Sequence, residues 1–166
     1  MSISVTNSLS LRLFYNRYAS VAHGSTRNSQ PTGTLSMADA SALRNAVRRL
    51  QDYSFEDATK VQIQEKLKAF TDTMNNTLTS ASKYGENDSS VKNAAAKLKK
   101  LNNQYSSELK KIGITVDKNG NMSLYENAAK NYSAEKFDNF FNKDSDYLKE
   151  IYDAAKKISR KVDVRI

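Results

Sequence analysis

The sequence predicts a mainly α fold. It is an antiparallel bundle of amphipathic helices, built as a long helix hairpin plus a C-terminal helix, and it carries one small β-hairpin. Three observations lead there. Ile63, Leu67, Phe70, Met74, Leu78 and Ala81 recur at steps of three and four for nearly three heptads, a coiled-coil-like seam. Val91, Ala94, Leu98, Leu101, Tyr105, Leu109 and Ile112 form a second stripe of the same kind, which stops at Gly113. Beyond Gly113 the apolar period changes to two: Ile114, Val116, Met122 and Leu124 flank an Asn119-Gly120 pair, a strong short-range sign of a hairpin at about 114–124.

The remaining elements follow in chain order. Residues 1–35 are rich in Ser, Thr and Asn, hold the only proline, Pro31, and contain no acid. They offer little to bury, so the expectation is a flexible, acid-free leader, resembling an organelle presequence or an export leader, ahead of a helical domain at 36–166. The first helix of that domain is expected from Ser36 or Asp39 to about Asp52, with Ala40, Leu43, Val47 and Leu50 on one side and Arg44, Arg48 and Arg49 on the rest. Tyr53-Ser54-Phe55 breaks it, and the longest helix is expected from about Asp57 to Lys83. Gly85–Asp88 is so short a connection that the next helix must be its antiparallel neighbour, capped by Asp88 or Ser89. After the hairpin, Tyr125–Asn131 reads as a short helix or loop. Ser133 then caps a segment whose Phe137, Phe140 and Phe141 make one strongly apolar face. A final helix is expected from Asp144 or Ser145 to Val162, with Lys156, Lys157, Arg160 and Lys161 where they favour its dipole.

Composition bounds the chemistry. The length of 166 residues suits one domain, or one domain with a tail. The net charge of +8 sits at the ends: residues 1–50 hold six arginines against Asp39, whereas residues 51–150 balance 15 bases with 15 acids. A nucleic-acid binder more usually carries a basic stripe along its folded body, so that partner is disfavoured. No apolar run is long enough to span a bilayer, and no Sec-type apolar region follows the N-terminus. The absence of cysteine removes disulfides, thiolate metal sites and cysteine nucleophiles. His23 is the only histidine, which rules out a multi-histidine site. Asp117, Asn119, Asn121 and Ser123 alternate like the first ligands of a calcium loop, but Met122 and Ala128 stand where that loop needs Gly and Glu. A polar hairpin turn is the better reading. The five glycines all lie at breaks, so there is no phosphate-cradling loop. No enzyme activity, cofactor or metal is expected.

The segments LKAFTDTMNNTLTSA (Leu67–Ala81), KLKKLNNQYSSELKKIGITVDKNGNMSLYENAAK (Lys97–Lys130) and KFDNFFNKDSDYLKEIYDAAKKIS (Lys136–Ser159) carry a family likeness. In order and spacing they resemble the C-terminal helical region of the bacterial flagellar filament-capping proteins, the hook-associated protein 2 family. The likeness covers roughly residues 60–160. This chain would be a much shortened relative, without room for the family's large head domains. What the resemblance implies is a structural or assembly protein, extracellular at the bacterial flagellum and exported without a Sec signal. It would pack helices against itself, flagellin-like proteins or flagellar export proteins.

On that reading the interaction candidates are the hairpin residues Ile114, Val116, Met122 and Leu124, with Phe137, Phe140 and Phe141. Each could equally be intramolecular core. Two other classes stay open. One is a cytoplasmic helical adaptor or export chaperone, holding partners helix-in-groove. The other is a basic nucleic-acid-binding module using Arg12, Arg17, Arg27, Arg44, Arg48 and Arg49.

Overall fold

The computed structural model describes residues 9–22 and 27–161. Helix α1 (Leu9–Tyr15) runs into a 3-10 turn (Asn16–Val21), followed by α2 (Thr32–Gln51), α3 (Lys60–Tyr84), α4 (Ser89–Gln104) and the short α5 (Ser106–Lys110). Strands β1 (Ile114–Val116) and β2 (Met122–Leu124) form the hairpin, and α6 (Ala128–Asn131), α7 (Ala134–Phe141) and α8 (Asp146–Lys161) complete the chain.

Helices α2, α3, α4 and α8 form a ring in which each packs against two others, α2 on α3 and α8, and α4 on α3 and α8. Pairs between them fix the directions. Ser80 near the end of α3 meets Asp39 near the start of α2, and Arg44 and Arg48 of α2 reach Ser159 and Tyr152 of α8. Tyr147 at the start of α8 bonds Asn102 at the end of α4. The result is an up-down-up-down four-helix bundle with the expected hairpin of α3 and α4 inside it. The excursion from α5 to α7 replaces the third short loop and lays the β-hairpin and α6 along α3.

Local chemistry explains most boundaries. Thr59 closes a reciprocal capping box with Gln62 at the start of α3, later than the expected start at Asp57. Asp57 instead accepts from Ser54 Oγ at 2.7 Å. Asp88 caps α4 through the Val91 N–H at 3.0 Å, Ser133 caps α7, and Ser145 Oγ accepts from Leu148 N. The stripe expected to run unbroken to Ile112 is interrupted at Tyr105, which leaves helical geometry at φ −98° and ψ 14°. Its ring packs against Tyr147 with centroids 5.0 Å apart.

The expected leader and the domain boundary at residue 36 need correction. The described part of residues 1–35 packs into the bundle: Leu11, Phe14, Tyr15 and Val21 are core residues, and α1 lies across α2 and α3. Helix α2 starts at Thr32, ahead of the expected start at Ser36 or Asp39, and both of those residues are buried within it. The buried face of α2 is wide and alanine-rich (Ala38, Ala40, Ala42, Ala46) because α1, α3 and α8 all press on it. His23 lies outside the described residues.

Candidate functional site

The hairpin forms where the sequence predicts it, with Ile114 opposite Leu124 and Val116 opposite Met122. These four side chains therefore share one face, which rests on the bundle; Ile114 and Met122 are buried, Val116 and Leu124 half-buried. The turn is organised by Asp117, whose Oδ1 accepts from the N–H groups of Asn119 (2.8 Å) and Asn121 (3.0 Å). That carboxylate, the first ligand of the calcium-like pattern, is a turn cap.

Polar side chains on the long helices clamp the hairpin. Asn75 of α3 donates through Nδ2 to Met122 O at 2.8 Å and accepts from Met122 N at 2.7 Å, closing the outer edge of β2 as a further strand would. Asn102 of α4, fully buried, donates to Gly120 O at 2.9 Å and accepts from Tyr147 OH at 2.8 Å. Gln64 donates to Tyr125 O and accepts from Ala129 N, both at 3.0 Å, fixing the approach to α6. Sequence periodicity cannot single these residues out, because their partners are backbone groups of a distant element.

The phenylalanine face turns inward. Phe137 and Phe141 are fully buried, stacked on Phe55 with centroids 5.8 and 6.1 Å away, and Phe141 meets Phe70 edge-on at 5.6 Å. They close one end of the bundle as core, not as an exposed stripe. Phe140 is half-buried against Tyr147.

What remains accessible near the hairpin is a groove of about 520 Å³ between the first turns of α3 (Lys60, Val61, Gln64, Glu65, Lys68) and Leu124, Glu126, Asn127, Ala129 and Lys130. Val61, on the α3 bank, is 72% exposed.

The arginines divide. Arg27 forms a bidentate pair with the fully buried Asp39, at 2.6 and 2.7 Å. Tyr15 OH donates to the same carboxylate at 2.6 Å, as does Ser80 Oγ at 2.6 Å, while Asn76 donates to the tyrosine oxygen at 2.9 Å. Burial holds the Tyr15 phenol well above its ordinary pKa, and the adjacent carboxylate pushes the same way. This network pins the N-terminal segment to α2 and α3. Arg44 donates to Ser159 Oγ and Tyr152 OH, which occupies it on α8. Neither Arg27 nor Arg44 is available to grip a polyanion. Arg12, Arg48 and Arg49 instead converge with Lys66 on a separate cleft between α1, α2 and α3. Nothing is described of the Arg17 side chain.

Among the described residues, no group of three or more His, Cys, Asp or Glu is placed to hold a metal ion. None of the described helices is long and apolar enough to cross a membrane. Comparisons with protein-family models, curated proteins and solved structures return no match to this chain.

Proposed function

We propose that this chain is a structural assembly protein, similar in its hairpin and flanking helices to the helical domain of a flagellar filament cap, and that it associates with copies of itself. The groove beside the hairpin is the contact. The observation that supports it is Val61, an apolar side chain 72% exposed on one bank of a groove whose other bank holds the half-buried Leu124. Its rim carries Lys60, Lys68 and Lys130 together with Glu65 and Glu126. Both signs on one patch suit an isologous two-fold contact, where the patch must complement itself. A partner of one net charge would be served better by a rim of the opposite sign.

Flagellar export is the proposed route and the extracellular filament the proposed place. Appearance of the protein in culture supernatant only when flagellar export operates supports this. Retention in the cytoplasm under the same conditions counts for a helical adaptor or export chaperone. Light scattering after size exclusion tests self-association: a dimer or larger species at high micromolar concentration supports the reading, and a strict monomer that also fails to bind flagellin removes it.

A further inference from the structure

The cleft between α1, α2 and α3 has a volume of about 670 Å³ and brings four cations together from three helices: Arg12, Arg48, Arg49 and Lys66. One acid shares its wall, Asp52, and its carboxylate already faces Lys143 Nζ at 3.2 Å. We propose that this cleft is a binding site for a small, multiply charged phosphate compound.

Three features set it apart from ordinary solvated arginines. Arg48 and Arg49 lie in the last turn of α2, where the helix dipole alone explains them. Arg12 and Lys66 belong to other helices, so the dipole of α2 accounts for neither. Two of the cations are also held in place. Arg48 lies over the Tyr152 ring at 4.9 Å and donates to its hydroxyl, and Lys66 sits over the rings of Phe14 (5.6 Å) and Tyr53 (5.3 Å). Finally, the cleft forms just past the end of α1, at Asn16, a non-glycine residue at φ +53°, while Asn45 Nδ2 donates to Phe14 O at 2.8 Å. The chain is thus held in an uncommon backbone conformation at the mouth of a predominantly positive site.

Guanidinium forks match phosphate oxygens in pairs, and several converging cations favour a ligand with more than one phosphate charge. The half-buried Tyr53 and the 44% exposed Leu13 add a less polar wall that an organic group could cover. Lys66 gives an independent signature. Burial, and then the charge of Arg49, lower its pKa against the opposing charge of Glu65, so a bound anion raises it and draws a proton in from solution.

The test is calorimetric titration of the whole chain with pyrophosphate and with ATP at low salt, in two buffers of different ionisation enthalpy at mildly alkaline pH. The expected result is saturable binding at one site per chain, competition between the two probes, and proton uptake. Arg49→Ala and Lys66→Met should each weaken binding roughly ten- to hundredfold, the range for loss of one charge-assisted contact, with an unchanged thermal midpoint. Lys97→Ala, on the far side of the bundle, should leave it unchanged. ATP binding more tightly than pyrophosphate assigns the less polar wall a role; equal binding assigns the phosphates alone. Non-saturable binding, or binding indifferent to both cleft variants, overturns the site. Preference for duplex DNA over both small probes replaces it with a nucleic-acid surface. Because no cleft residue lines the hairpin groove, this outcome and the state of association are read separately.

Discussion

Asp39 is a carboxylate without solvent exposure that accepts from Tyr15, Ser80 and both terminal nitrogens of Arg27. Removing one partner of such a pair leaves an uncompensated buried charge, typically about 3–5 kcal/mol of stability. Arg27→Leu is therefore expected to cost that order in denaturant unfolding, whereas Lys118→Ala, on the exposed turn, should cost under about 0.5 kcal/mol. Two buried phenols set a limit at alkaline pH. Burial raises Tyr15 and Tyr147 well above the ordinary tyrosine value near 10, so above that pH the unfolded chain gives up protons that the folded chain keeps. Their stabilising contribution is intact below about pH 10 and is lost as pH climbs toward their folded pKa values. Tyr152, lowered by the hydrogen bond from Arg44, acts in the opposite sense from a half-buried position. The unfolding midpoint should fall above about pH 10, and Tyr147→Phe should flatten that fall. A midpoint insensitive to alkaline pH would refute this assignment. The sequence marked Asp39 as the lone acid of the first 50 residues, but not its partners. Bonds from residues 12, 24 and 41 positions away leave no periodic trace.

At the scale of elements, the hairpin is short, and its place depends on side chains outside it. Three-residue strands with one two-stranded ladder are marginal alone. Asn75→Ala would leave the Met122 N–H and C=O without partners, a cost of about 1–3 kcal/mol, and should speed amide exchange across residues 114–124 before the rest of the bundle. Uniform acceleration of all helices would contradict a local clamp. Gly120 adopts φ +83°, and a Cβ there would lie 2.9 Å from the Lys99 Cα. Gly120→Ala should therefore destabilise by more than about 1 kcal/mol. The hairpin was legible because Asn-Gly and a period of two are local signals. The fate of Phe137 and Phe141 was not. A triple-phenylalanine face reads the same whether it meets solvent, a partner or Phe55, which stands more than 80 residues earlier in the chain.

For the whole molecule, α3 is central, pressed by α2, α4, α1, β2 and α6. Its apolar seam covers only part of that contact, so Thr71, Thr73 and Thr77 are buried as well, with hydroxyls that donate to carbonyls of their own helix. The bundle class and the α3–α4 hairpin follow from stripes and a short connection, both visible in sequence. The packing of α1 does not, because its seven residues, three of them leucine, are too few to show a helical period. The groove beside the hairpin needed the fold itself, since Val61 and Leu124 are brought to it only by the return of the chain across α3. Sedimentation velocity over a concentration series, comparing the native chain with Val61→Lys, tests the central claim most directly. Val61 is 72% exposed, so the variant should fold as the parent does. Self-association through the groove predicts a concentration-dependent dimer for the native chain and a monomer for the variant with the same unfolding midpoint. A native chain that stays monomeric at high micromolar concentration, or a variant that dimerises equally well, would contradict it.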